Sequence, residues 1–567
     1  MGLKLDWLHE DQRTFLSRGY LREGETIEQR YQTICDAIQR YCDKMGANER
    51  TNGIGKRFET YIEKNWVSFA TPVLRNFGAD DNLSISCNMS ILDDSLESIL
   101  KGINEIGALA KHGAGTSQNF SNIRGIGSDI STGGKSNSVL DWIELYSDLM
   151  SKVAQNAQRR GFLTGYLSLD HPEIMEFLDI GTTNMSAERQ RFFQTITTGV
   201  TIPVGFRKAM VEGDSQKRKI WAKVLNTRKE TGYPYMIDEE NSNKFKPQVY
   251  KDKGMDLKTS NICTEVIEYV DFEKTFACCL SSTNAYHFDE WKHNRTFIAD
   301  MYIMLDCVIE EYIEQASKIE GLEKAVKFAK EHRAVGLGIL GFHSYLQKNS
   351  IVFGSLESFQ ANHEIFSLLK EVGDETSKWM AEQWGEPEMM IGYGERNSTR
   401  NAQAPTKSTA FIMGGIVNSL SEGIEAHKSN FNEKKLAKIQ VEFKNTQLIK
   451  VLEAKKQNTK DVWNSILENN GSVQHLDILS RHEKDVFKTF SEISQVDVIK
   501  LAAQRQKFID QGQSVNLMIH PDTSPKDIHN LHMLAFDEGL KSLYYQYSIS
   551  AAQKFSQDLL TCSSCEG

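Results

Sequence analysis

Asn261-Ile262-Cys263-Thr264-Glu265 sets an amide, a thiol and a carboxylate at alternate positions of one short stretch. On an extended segment residues i, i+2 and i+4 share a face, so the three polar groups would converge. Cys263 to Val270 is accordingly expected as a short strand. A core strand would ordinarily offer Val, Ile or Leu, and burying Asn, Cys and Glu together is costly unless chemistry uses them. Thirteen residues beyond Glu265 the run Phe276-Ala277-Cys278-Cys279-Leu280-Ser281-Ser282 supplies further thiols, and Ser86-Cys87-Asn88 another. A last pair, Cys562-Ser563-Ser564-Cys565, stands at the C-terminus. CxxC spacing suits thiol–disulfide exchange. Residues 546–567 drift into Ser, Gln and Gly, as mobile termini do. A tail dithiol needs an internal disulfide to reduce, which points back to Cys87, Cys263, Cys278 and Cys279.

The 567 residues are 40% apolar and 25% charged, which excludes a disordered or collagen-like chain. Nine prolines leave little material for Pro-rich linkers, so one large body is expected. The net charge of −10 comes without a basic stripe, which argues against a nucleic-acid partner. No apolar run approaches the ~18 residues a membrane span needs, and the N-terminus carries no signal-peptide pattern. The chain reads as cytoplasmic, where nine cysteines are not expected to form a structural disulfide framework.

Residues 1–66 read as helices, with Ile27, Tyr31, Ile34, Cys35, Ile38, Tyr41 and Cys42 recurring at helical spacing, so that Cys35 and Cys42 fall on a core stripe. Helices are also expected over 94–110, 137–157, 186–224 and 430–512, and over 300–348 apart from the glycine punctuation at Gly336, Gly338 and Gly341. Pro405-Thr406-Lys407-Ser408-Thr409, followed by Phe411-Ile412-Met413, has the form of a helix start able to bind an anion. His529 and His532 share a helical face and read as surface positions, with no metal expected. Gly133-Gly134-Lys135-Ser136 fails as a P-loop because Asp129 stands where its leading glycine is required. The mixture argues for an α/β body with helices outside a buried sheet.

In this order, the blocks Thr71-Pro72-Val73-Leu74, Ser86-Cys87, Asn261 to Glu265, Cys278 to Ser281, Gly336-Leu337-Gly338, Arg396-Asn397-Ser398-Thr399, Pro405 to Thr409, Glu422-Gly423-Ile424-Glu425, Leu543-Tyr544-Tyr545-Gln546 and the tail dithiol resemble the catalytic large subunit of ribonucleotide reductase. The resemblance covers about 70–567 and implies a ten-stranded α/β barrel. It divides the chain into a helical region (1–66), the barrel (67–545) and a redox tail (546–567). It implies that Cys263 becomes a thiyl radical that abstracts the ribose 3′-hydrogen. Glu265 takes the 3′-OH proton, and Asn261 orients the substrate hydroxyls. Cys87 and Cys278 supply two electrons as the 2′-OH leaves, and Cys562 and Cys565 reduce the resulting disulfide. Cys278 is preferred over its neighbour Cys279 because Leu280-Ser281 align best that way.

Tyr544-Tyr545 resembles the stacked pair that carries a radical in from a second subunit, which marks class I. A cobalamin-dependent relative would not need it, and a glycyl-radical relative would show a C-terminal glycine-radical motif in place of the dithiol tail. The same resemblance implies a ribonucleoside diphosphate held by Pro405, Thr406, Lys407, Ser408 and Thr409 with Thr71 and Ser86. It implies a dNTP or ATP effector near Asp94, Arg124 and Arg159, where a second basic residue of that site is replaced by Ser131. No cofactor or metal is expected in this chain. A dimetal or radical cofactor belongs to a small partner subunit, and thioredoxin or glutaredoxin resets the tail. An effector-stabilised homodimer is implied. The early Thr71 block leaves little room for an N-terminal ATP-cone, so dATP shut-off through such a module is expected to be absent. The rival reading from another class is an inactive nucleotide-binding scaffold, which would need neither Cys263 and Glu265 nor the redox pairs.

Overall fold

The structure is a computed structural model that describes residues 2–79, 82–155, 159–160, 162–436 and 439–548. Three helices, α1 (Glu10–Ser17), α2 (Ile27–Gly46) and α3 (Ile54–Glu63), open the chain. A capping box between Thr26 and Gln29 starts α2, and its expected stripe is buried, Cys35 and Cys42 included. These helices are fastened to the body by an ion pair to a buried carboxylate and by hydrogen bonds. Arg57 grips Asp300 with two guanidinium nitrogens at 2.7 and 2.9 Å, and Gln12 donates to the Ile412 carbonyl at 2.7 Å.

One sheet organises the rest. β1 (Val67–Phe69) leads to β2 (Cys87–Ile91), β3 (Gly115–Asn119), β4 (Leu163–Ser168), β5 (Ile196–Ile202) and β6 (Tyr235–Asp238). Strands β2 to β6 pair in that order, all parallel. Helix α4 (Leu96–Lys111) makes the crossover from β2 to β3. The long strand β7 (Phe276–Asn284) runs antiparallel to β1 and β2 and parallel to β8 (Val335–Leu340). Beyond β8 the pairing continues through the bridges Leu337↔Asn401 and Gln403↔Gln513. It reaches β12 (Ser542–Leu543), antiparallel to β6, through Tyr544 N–H to Val515 O at 2.8 Å. With β1 set aside, since it pairs only with β7, the eight strands β2–β8 and β12 and the two bridged segments make ten extended stretches that follow one another round the curled sheet, as the barrel expectation requires. Helix α5 (Arg295–Ala316), buried along most of its length, packs against β7 and β8 from outside.

Four expectations from periodicity are corrected. Gly336 and Gly338 do not interrupt a helix but lie within β8. A Cβ on Gly338 would stand 2.6 Å from the Ala402 carbonyl oxygen, so these glycines admit the neighbouring backbone. The stretch 186–224 contains β5, a run of β-branched residues between short helices. The stretch 430–512 opens with a hairpin, β9 (Phe431–Leu436) and β10 (Ile439–Lys444), before its helices begin. Cys263 to Val270 is irregular backbone rather than a strand. His529 and His532 do lie on a helix, α7 (Pro525–Asp537), but His532 is buried and accepts from Arg228 Nε at 3.3 Å.

Candidate active site

The Asn261–Glu265 block forms a loop folded into the middle of the barrel. Thr264 adopts a left-handed φ of 69°, and the Asn261 side-chain oxygen accepts from Val266 N–H at 3.0 Å. This turn, in place of a strand, brings the three polar groups to one tip. Tyr166, on the inner face of β4, donates to the Asn261 carbonyl at 2.9 Å. Glu265 is buried, and Ser514 Oγ donates to its carboxylate at 3.3 Å. Burial pushes the Glu265 carboxyl up to about 7, with hydrogen bonds from its own backbone, Asn261 and Ser514 opposing the shift. The Asn261 side-chain N–H₂ is buried beside the Glu265 carboxylate without a full hydrogen bond among the described residues, so it can donate to a bound molecule.

Cross-strand register brings two thiols together. Cys87 on β2 lies directly opposite Cys278 on β7. Opposed residues of an antiparallel pair point to one face with Cα atoms about 4.5–5.5 Å apart, within disulfide reach. Cys278 and Cys87 belong to the inner cluster with Tyr166 and Val266, whereas Cys279 points the other way, into the large outer core. Strand alternation therefore separates the two neighbours that sequence alone could confuse.

The tyrosines converge on the same loop. Tyr544 donates to Cys263 Sγ at 3.6 Å, and the Tyr544 and Tyr545 ring centroids are 4.2 Å apart at 61°, edge to face rather than parallel-stacked. Tyr235 packs on Tyr544 at 4.6 Å, and Tyr233 donates to the Tyr545 hydroxyl at 3.4 Å.

One segment missed in the sequence, Asp510–Asn516, holds nearly every part of this arrangement. Gln511 Nε2 donates to Cys278 Sγ at 3.3 Å, and Gly512 N–H to the Glu265 carbonyl at 2.8 Å. Ser514 Oγ also donates to the Cys263 carbonyl. Val515 O accepts from Tyr544 N–H at 2.8 Å, and Asn516 Oδ1 from Tyr545 N–H at 3.1 Å. Gly512 has to be glycine, because a Cβ would meet the Thr264 carbonyl oxygen at 2.8 Å. The available signal was a polar run, Gln511, Gln513, Ser514 and Asn516, between a helix and a strand, where solvation is the ordinary explanation.

The other blocks brace the site. Arg396 and Arg333 both reach Asp306 on α5, at 2.8 Å each. Burial raises the Asp306 carboxyl, and the two guanidinium groups overcome this to bring it to about 2. Pro405 to Thr409 lead into α6 (Lys407–Gly414) as expected. Thr406, at φ 60°, makes no cap bond to that helix; its hydroxyl accepts from Gly423 N–H at 2.7 Å. Lys407 and Ser408 open instead onto a cleft of about 380 Å³ that Glu422, Glu425 and Lys428 also line. Thr71 follows β1, which packs on α6, and Ser86 precedes Cys87. Asp94 and Arg124 lie together beside the start of α4, with Arg124 Nε donating to Asp94 Oδ2 at 2.7 Å. The Arg159 side chain and both tail cysteines, Cys562 and Cys565, lie outside the described residues. Among the described residues no cluster of His, Cys, Asp and Glu could hold a metal, and no helix is long and apolar enough to cross a membrane.

A family model described as the ribonucleotide reductase barrel domain matches residues 85–218, 208–390 and 380–546. The chain belongs to the ribonucleotide reductase large-subunit family. The alpha subunit of a class Id ribonucleotide reductase from Actinobacillus ureae is 41% identical, with a TM-score of 0.88 over 99% of this chain and 100% of that one. The ribonucleoside-diphosphate reductase large subunit of Invertebrate iridescent virus 3 is 28% identical over 97% of each chain. That of Caenorhabditis elegans is 26% identical over 92% of this chain and 75% of its own. The barrel of this reductase subunit thus encloses the loop, the opposed thiols and the tyrosines in one interior.

Proposed function

We propose that the chain reduces ribonucleoside diphosphates to deoxyribonucleoside diphosphates by thiyl-radical chemistry, supplying precursors for DNA synthesis. The observation that carries this reading is the Tyr544 hydroxyl 3.6 Å from the sulfur of Cys263, on the same loop tip as Glu265. A small partner subunit supplies the oxidising radical, and Tyr545 and Tyr544 pass it to Cys263. The Cys263 thiyl then takes the 3′-hydrogen. Glu265 takes the 3′-OH proton as general base, and the Asn261 amide orients the hydroxyls. Cys87 and Cys278 give two electrons and become a disulfide as the 2′-OH departs as water. The diphosphate sits against Thr406, Lys407, Ser408 and Thr409, with Pro405, Thr71 and Ser86 shaping that side. A dNTP or ATP effector near Asp94, Arg124 and Arg159, a homodimer stabilised by it, and a thioredoxin- or glutaredoxin-linked tail at 546–567 belong to the same proposal.

The test is conversion of CDP to dCDP by the purified chain with dithiothreitol and an effector, run alone, with adenosylcobalamin, and with a metal-loaded small subunit. Product only with the small subunit, lost in Tyr545→Phe, supports the proposal. Product with adenosylcobalamin alone would move the chain to another class, and nucleotide binding without product would make it a scaffold.

Two predictions attach to named groups. With its carboxyl held near 7, Glu265 is half protonated at neutral pH, and only the ionised form accepts a proton. The single-turnover rate should therefore rise through pH 7 and level off about one unit above. Glu265→Gln should flatten that limb and lower the rate by about 10²- to 10⁴-fold; an unchanged pH profile in the variant would remove Glu265 as base. The second concerns the tail. Cys562→Ser should stop after the first turnover with thioredoxin as sole reductant, yet cycle with a small dithiol. Thioredoxin-driven cycling at the parent rate would end the shuttle assignment.

A further inference from the structure

A third phenol continues the line of tyrosines outward. Alternate residues of a strand face the same way. Tyr547 on β13 (Gln546–Ser548) is held in parallel register against Met518 of β11 (Leu517–Ile519). Its ring stacks on that of Tyr545, centroids 5.7 Å apart and planes 21° apart. Tyr544 and Tyr545 are 2% and 1% exposed, whereas Tyr547 is half-buried, so the series Cys263, Tyr544, Tyr545, Tyr547 steps from the barrel interior towards solvent. The outer ring is fixed on two further sides, by the edge of Phe490 at 6.5 Å and by the Lys428 ammonium 4.2 Å from its centroid. Lys428 is itself held by Glu425 at 3.0 Å. Tyr233 is the competing exit, since its hydroxyl bonds that of Tyr545, but it is only 4% exposed.

We propose that Tyr547 is the entry residue of the radical path, the point at which this chain is oxidised by its partner. The inference rests on the thiyl-radical reading above. A one-electron oxidant carried by the partner subunit takes an electron from Tyr547 while the phenolic proton passes to solvent, leaving a neutral phenoxyl. Tyr545 gives an electron and a proton to Tyr547, restoring its phenol, and Tyr544 does the same for Tyr545. The Cys263 S–H bond then breaks as its hydrogen restores Tyr544. The sequence runs backwards after product forms, so no net oxidation of the chain accumulates.

The experiment uses the full chain with its metal-loaded small subunit, CDP and effector. Tyr547→Phe keeps the ring in its stack and removes only the oxidisable hydroxyl. It should lower turnover at least ~100-fold while CDP binding and small-subunit affinity stay within about two-fold. Replacing Tyr547 by 3-aminotyrosine, which is more easily oxidised, should trap a radical at that position, visible by electron paramagnetic resonance on mixing. Parent-like turnover in Tyr547→Phe overturns the inference. So does an aminotyrosyl signal obtained at 545 but not at 547, and so does a loss of turnover confined to Tyr233→Phe. If Tyr545→Phe is itself active and no position traps a radical, the underlying thiyl reading has failed, a result distinct from failure at Tyr547 alone.

Discussion

Serine at position 263 should reduce dCDP formation to no more than about one part in 10⁴ of the parent rate, a barrier increase of ~5.5 kcal/mol at ~1.36 kcal/mol per decade. The physical basis is the strength of the bond that must break. A tyrosyl radical is an oxidant matched to an S–H bond, whereas the O–H bond of an aliphatic alcohol is too strong for it to cleave. The Tyr544 hydroxyl stands 3.6 Å from the Cys263 sulfur, so the thiol at this position is the one placed to receive the radical from that tyrosine. Serine is smaller than cysteine by less than a methylene, and its backbone carbonyl still accepts from Ser514. The fold, CDP binding and small-subunit affinity should therefore be unchanged. Rapid-quench assay of labelled CDP is the measurement, and turnover above about one per cent of the parent would refute a thiyl at this position.

The second large effect separates neighbours. Cys278→Ser should abolish dCDP formation from the first cycle on, whereas Cys279→Ser should keep activity within about three-fold of the parent. The contrast follows from strand alternation. Cys278 faces Cys87 across the β2–β7 pair, and Cys279 faces the outer core. Serine at 278 leaves Cys87 without a disulfide partner, so the two electrons that reduce the 2′-carbon cannot both be delivered. Serine at 279 places a hydroxyl in an apolar setting and costs mainly stability, about 1–3 kcal/mol. Product counted per active site over one and over many cycles distinguishes them. The inverse result, with 279 essential and 278 dispensable, would mean that the register is wrong by one residue.

That Asn261, Cys263 and Glu265 come together was legible in the sequence, whereas the geometry by which they do so was not. Asn261, Cys263 and Glu265 stood out because burying them without a use is expensive, and the alternation between them suggested a strand. The loop forms instead because Thr264 turns back and the Asn261 side chain takes the Val266 N–H, leaving no free edge for a sheet partner. What makes that turn possible is Gly512, almost 250 residues away, and no local pattern reports such a contact. β5 and β8 were hidden for a related reason. Both are buried on two faces, so they show no alternation, and in β8 the glycines resemble breaks until Ala402 is seen against them. The tyrosine pair was legible as a pair, but Tyr233 and Tyr235 reach it only through the pairing of β6 with β12, and Tyr547, two residues on, is aligned with it by the β11–β13 register. The opposed thiols needed the β2–β7 register before Cys278 could be told from Cys279.

The segment Asp510–Asn516 joins the Cys263 loop, Cys278 and the tyrosines to a single short piece of backbone. For a lineage that exchanges genes, this makes the heptapeptide a poor place for a crossover. A chimaera joined inside it would inherit the tyrosines of one parent and the thiol seat of another on mismatched supports. Junctions in the exposed turns between surface helices carry no such penalty. Recombination among related subunits should therefore leave this stretch in one piece, travelling with the tyrosines that follow it.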